Sequence, residues 1–150
     1  QALQIVYPKI VLQRCWAHKT RNVLDKVKKK DQPAVKKALT RISHAANRRE
    51  ATEAYWRFSS RWKKPYPKAV ACLKKDFDQL LSFFQIKNSQ LYSRLRTTNL
   101  IERAFREVRR RTRPMGVMAH TQSLQRIVFA VFHHLNQNWL QQPLKFTHNC

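Results

Sequence analysis

The sequence predicts a mainly α protein with one strand near 10–16. Three observations carry that expectation: a single glycine in 150 residues, six prolines that fall between periodic stretches, and apolar residues that recur every three or four positions. Glycine and proline are the strongest local punctuation, so this pattern describes long helices with short links. With 43% hydrophobic and 11% aromatic residues the chain can bury a core, which excludes disorder as the explanation of its charge.

Ala2 to Tyr7 reads as the last turns of a helix halted at Pro8. Ile10-Val11-Leu12-Gln13-Arg14-Cys15-Trp16 is β-branched at its start and apolar enough to be buried, which predicts the strand. Val23, Leu24 and Val27 then mark a short amphipathic helix from Lys19, and Lys28 to Gln32 is a polar link. The Lys28-Lys29-Lys30 run is either a solvated loop or a phosphate contact. Pro33 suits the first position of the next helix, whose buried stripe is Val35, Ala38, Leu39 and Ile42. Asn47 and Glu50 form an Asn-x-x-Glu start signal for a helix that buries Ala51, Ala54, Tyr55, Phe58 and Trp62. Trp56 lies off that stripe and is the better candidate for stacking on an unpaired base.

Beyond Pro65 and Pro67, one further helix is expected, striped by Ala69, Val70, Leu73, Phe77, Leu80, Leu81 and Phe84. Residues 85–98 read as a mixed connector. Asn99 and Glu102 repeat the start signal, with Asn99 as N-cap of a helix closed by Pro114. Ile101, Ala104, Phe105 and Val108 would face its core, while Glu102, Arg106, Arg109 and Arg113 step along a second face. Met115 and Met118 are expected to fill core gaps. The last helix, Thr121 to Leu140, would bury Leu124, Ile127, Val128, Val131, Phe132, Leu135 and Trp139, with a disordered tail past Pro143.

Lys and Arg number 31 against 8 Asp and Glu, a formal +23 spread along the whole chain. Such a charge repels itself unless a polyanion neutralises part of it, so nucleic acid is the leading partner. No segment approaches the roughly 18 apolar residues of a membrane span. The start at Gln1, with neither an initiator Met nor a charged-then-apolar leader, suggests an excised piece of a cytoplasmic protein. Cys15, Cys72 and Cys150 are odd in number and far apart, which argues for reduced thiols.

The sharpest chemical candidate is the carboxylate of Glu102 leading a row of guanidiniums. A carboxylate can complete an oxygen site for a hard divalent cation, and arginines can hold phosphates beside it. The plain alternative is a capping-box Glu with an i,i+4 partner in Arg106, and the Asn47–Glu50 copy shows that Asn-x-x-Glu carries no chemistry by itself. Cys15-x-x-His18 supplies two of the about four ligands a zinc site needs, and only the distant His148 and Cys150 could add to them. Asp76 and Asp78, like His133 and His134, are spaced for different helix faces rather than for a paired site.

Three blocks carry a resemblance. They are Gln13-Arg14-Cys15-Trp16-Ala17-His18-Lys19-x-Arg21-Asn22-Val23-Leu24-Asp25-Lys26-Val27, then Tyr66-Pro67-Lys68-Ala69-Val70-Ala71-Cys72-Leu73, then Thr97-Thr98-Asn99-x-Ile101-Glu102-Arg103-x-Phe105-Arg106-Glu107-x-Arg109-Arg110-Arg111-Thr112-Arg113-Pro114-Met115-Gly116. In this order they resemble the Mutator-type DDE transposases of bacterial insertion sequences. The resemblance implies an RNase-H-like α/β catalytic core whose Asp, Asp and Glu bind two Mg²⁺ (or Mn²⁺) ions. Glu102 would be the third acid and a metal ligand, and the two Asp would precede Gln1, so this piece would be inactive alone. The implied layout is the end of the core over 1–27, a helical insertion over 28–96, the Glu helix and a C-terminal helix over 97–140, and a tail over 141–150.

Cys15, Trp16 and His18 would then be structural. The candidate DNA contacts are Lys19, Arg21, Arg94, Arg96, Arg103, Arg106, Arg109, Arg110 and Arg113. The implied partners are transposon-end and target DNA and further copies of the chain, as a homo-dimer or higher oligomer on DNA. No membrane partner is implied, and the implied location is the bacterial cytoplasm, at the nucleoid. The competing class is a non-catalytic helical nucleic-acid-binding module or decayed transposase remnant. A membrane-surface or ribosome-associated basic protein ranks third.

Overall fold

The computed structural model describes residues 5–116 and 120–142. Among these it is mainly helical and contains no strand. The helices are α1 (Trp16–Leu24), α2 (Gln32–Ser43), α3 (Arg48–Trp62), α4 (Pro67–Lys75), α5 (Phe77–Leu80), α6 (Tyr92–Leu95), α7 (Asn99–Thr112) and α8 (Thr121–Gln141). Short 3₁₀ turns lie at Lys29–Asp31, Ser82–Gln85, Ser89–Leu91 and Arg113–Met115. The chain divides into two compact units, Gln1–Thr97 and Thr98–Cys150.

In the first unit α1 packs on α2 and α4, and α3 packs on both α2 and α4. The expected stripes meet in one core: Val23, Val35, Leu39, Ile42, Ala51, Phe58, Leu73, Leu80 and Leu81 are all buried. Trp16 and Val27 belong to the same core, so the Cys15–His18 block and the helices after it fold as one body. Polar side chains close the joints. Gln32 Nε2 donates to the carbonyls of Leu24 and Val27 at 3.0 and 3.1 Å, satisfying acceptors at the end of α1. Asn47 is a true N-cap, its Oδ1 accepting from Glu50 N at 2.9 Å while Glu50 reaches back to Asn47 Nδ2 and Ala46 N.

The strand expected near 10–16 is corrected. The segment from Ile10 to Cys15 has no regular structure, and Trp16 opens α1. A strand needs a partner backbone, and this stretch satisfies its polar groups on helix breaks instead. Arg14 N donates to Gln79 O at 3.0 Å and Trp16 N to Arg96 O at 2.8 Å. Gln13 clasps both ends of one break, donating to Leu80 O at 3.1 Å and accepting from Phe83 N at 2.8 Å. The Trp16 indole N–H also donates to Leu80 O, at 2.9 Å.

The single helix expected from Ala69 to Phe84 is three pieces, α4, α5 and a 3₁₀ turn, although its apolar stripe is buried or half-buried throughout. The break falls at Asp76, whose carboxylate turns to Lys19 and Arg14.

In the second unit α7 packs on α8. Two helices share one seam, and among the described residues only Ala104, Val108 and Val131 are buried in it. The broader stripes expected there are corrected: Ile101, Phe105, Leu124 and Trp139 are exposed, while Phe105 meets the edge of Phe132 at 5.6 Å between centroids. Met115 is exposed rather than core-filling. Gly116, at φ 61°, occupies a conformation that side-chain-bearing residues rarely adopt, and so lets the chain turn after α7. Residues 1–4, Met118, Pro143, His148 and Cys150 lie outside the described residues, as do the expectations resting on them.

Candidate nucleic-acid interface

Helix α7 begins one residue before the expected place. Thr98 is the N-cap and Asn99 the first helical residue, so the expected Asn99 cap is corrected. Thr98 Oγ1 donates to Glu102 Oε1 at 2.6 Å, and Glu102 N donates to Thr98 O at 2.9 Å. The Glu102 carboxylate is exposed and oriented at the helix start, where the macrodipole favours negative charge.

Four and seven residues on, Arg106 and Arg109 project from the same face, followed by Arg113 in the 3₁₀ turn. Together with Arg110 and Pro114 they line a shallow cleft of about 470 Å³. None of Arg103, Arg106, Arg109 and Arg113 forms an ion pair with a carboxylate among the described residues. Arg110 and Arg111 differ, because both reach Glu107, at 3.1 and 2.9 Å. Hydrogen bonds from Arg111 and then Arg110 hold the Glu107 carboxyl below its ordinary range. The acid in the middle of α7 thus neutralises one side of the helix and leaves the Glu102 side cationic.

The remaining candidates lie in the first unit. Lys19 is buried, and its ammonium donates to the Asp76 carboxylate and to Cys72 O, so it is structural rather than a phosphate contact. The Lys19 bond, joined by the Arg14 charge, holds the Asp76 carboxyl below its ordinary value against the opposing effect of burial. Asp78, two residues on, instead pairs with Arg48 at 2.6 Å. Arg21 is exposed, and Arg94 and Arg96 are half-buried. Arg96 lies over the Phe83 ring at 5.4 Å, its Nε is buried without a hydrogen-bond partner, and burial pushes its guanidinium pKa down. Arg96 stands among the basic candidates of the sequence, but nothing in its local sequence signals this burial, which depends on the distant Phe83.

Cys15 sits at the N-cap position of α1, Trp16 is buried behind it, and His18 is exposed on the first turn. No group of three or more His, Cys, Asp or Glu side chains able to hold a metal exists among the described residues. Trp56 is 63% exposed, as its place off the α3 stripe predicts, whereas Trp62 is buried. Among the described residues no helix is long and apolar enough to cross a membrane.

This basic helical chain presents a guanidinium row behind one oriented carboxylate, and comparison supplies its family. The chain belongs to the Mutator family of transposases, whose family model matches residues 1–142. It is 37% identical over 139 residues to the transposase for insertion sequence element IST2 of Acidithiobacillus ferrooxidans, covering 93% of this chain and 47% of that protein. It is 31% identical over 150 residues to the transposase for IS905 of Lactococcus lactis, covering 100% of this chain and 38% of that one. Against the transposase for IS6120 of Mycolicibacterium smegmatis it is 38% identical over 113 residues, 75% of this chain and 35% of that one. The chain therefore spans less than half the length of these relatives.

Proposed function

We propose that this chain is the carboxy-proximal part of a DDE transposase that cuts and joins DNA strands at insertion-sequence ends. In this reading it binds DNA and supplies the third acid, and it is inactive without the two Asp of the remaining polypeptide. The observation that carries the reading is the α7 face, on which Glu102 precedes Arg106, Arg109 and Arg113, none of the three arginines in an ion pair with a carboxylate among the described residues.

Glu102 alone fits one position of a Mg²⁺ or Mn²⁺ site, since a hard cation takes several oxygen ligands and one exposed carboxylate offers two oxygens at most. The bound metal would supply activation of the attacking hydroxyl and stabilisation of the leaving oxygen. Thr98 orients the carboxylate through its hydroxyl. The guanidiniums of Arg106, Arg109 and Arg113 hold backbone phosphates along the helix and fix the register of the strand without reading its sequence. An RNase-H-like core completed by the rest of the polypeptide would also cover the apolar residues that α7 and α8 leave exposed.

The test is strand cleavage and strand transfer by the full-length protein with Mg²⁺ or Mn²⁺, comparing wild type with Glu102→Gln. Loss of chemistry with unchanged folding and DNA affinity is expected. Retained activity would make Glu102 a helix-start residue only, as its bond to Thr98 would allow, and would leave the chain as a DNA-binding module.

A further inference from the structure

A second basic cleft lies wholly within the first unit, enclosed by α1, α2 and the segment around α6. Its volume is about 610 Å³, in the range of sites for small organic ligands and several times that of a bare phosphate. Three cations line it, Arg21, Lys36 and Arg96, against the single carboxylate of Asp25. None of the three forms an ion pair with a carboxylate among the described residues.

Arg96 makes the cleft more than a solvated basic surface. Its guanidinium is held over Phe83, its main-chain carbonyl is fixed by Trp16 N, and its buried Nε has no partner. A partly desolvated cation with no carboxylate beside it is costly, and an anion in the cleft would relieve part of that cost. The remaining wall is mixed: Trp16, Ala17 and Leu24 give apolar surface, and Thr20, Thr40, Ser93 and Thr97 give hydroxyls. Cations for a phosphate, hydroxyls for polar edges and a patch of apolar wall are the requirements of one nucleotide. A cleft of this size cannot admit a duplex, whose width greatly exceeds it.

We infer that this cleft takes a single unpaired nucleotide of a DNA strand, with its phosphate on Arg21, Lys36 and Arg96 and its base against the Trp16–Leu24 wall. The inference rests on the DNA reading above but concerns a different unit from the α7 face.

The test uses the chain itself and two sets of probes. In the first, amide NMR shifts are followed with a deoxynucleoside 5′-monophosphate, inorganic phosphate and the bare deoxynucleoside. Saturable shifts centred on Thr20, Arg21, Lys36, Ser93, Arg96 and Thr97 are expected, with the mononucleotide binding at least tenfold tighter than either part. The variant R21Q/K36Q, altered only at exposed side chains and so safe for folding, should lose at least tenfold in mononucleotide affinity, and R96Q should do the same. Inorganic phosphate binding as tightly as the mononucleotide, or unchanged affinity in R21Q/K36Q, would overturn the nucleotide site.

In the second set, a duplex with an unpaired overhang is compared with a blunt duplex. The overhang should bind several-fold tighter, and that ratio should fall to about one in R21Q/K36Q. Equal binding by wild type would limit the cleft to free nucleotides and overturn the strand assignment. Failure of the wider DNA reading would look different, because a salt-independent duplex affinity would leave the mononucleotide result intact.

Discussion

At the scale of single residues, the most consequential placement is Lys19 against Asp76. The two side chains are 9% and 13% exposed, and they join α1 to the end of α4. Breaking a buried pair leaves the surviving charge without compensation, so Lys19→Met should cost about 3–5 kcal/mol in urea unfolding. The lower part of that range is favoured because Arg14 stays within 3.9 Å of Asp76. Folding lowers the Asp76 pKa, so its contribution is fully present above the unfolded carboxylate value, about 3.9, and is lost as pH falls through the folded value. Acid titration of stability should therefore include a loss that sets in as pH falls past about 4, and Asp76→Asn should remove that share of the curve. A variant with the same acid limb as wild type would remove Asp76 from the account.

At the scale of elements, two helices carry the same Asn-x-x-Glu signal and start differently. Asn47 caps α3 through Glu50 N, whereas Asn99 lies inside α7 and Thr98 holds the cap position. Asn47→Ala should thus cost about 1 kcal/mol. Asn99→Ala should stay within about 0.5 kcal/mol, as exposed substitutions without a cap usually do. Thermal unfolding of the two variants decides the point, and equal losses would mean that Asn99 caps in solution. The motif was legible in the sequence, but which residue would take the non-helical cap conformation was not. That choice depends on how the chain enters the helix, here from the connector after α6.

At the scale of the whole molecule, charge governs. Affinity for duplex DNA should fall with salt, log K dropping by about 0.9 per neutralised phosphate per decade. Replacing Arg106, Arg109 and Arg113 together by Gln should flatten the slope by up to about 2.7 and weaken binding to all sequences alike. A slope unchanged in the triple variant would move the phosphate contacts elsewhere on the molecule.

Local pattern by itself determined the helical class, the stripes of α2 and α3, the exposure of Trp56, and the family. Each follows from side-chain spacing within one element, or from residues that the three blocks carry outright. Tertiary structure alone decided that residues 10–15 form an irregular segment rather than a strand, because Arg14 N bonds to Gln79 O, the Gln13 side chain to Leu80 O and the following Trp16 N to Arg96 O, in place of a partner strand. It decided that Lys19 points inward while Arg106 and Arg109 point outward, since only packing determines where a carboxylate such as Asp76 lies. It also made Arg96 a half-buried cation on a cleft wall, a property of its meeting with Phe83 that no local pattern encodes.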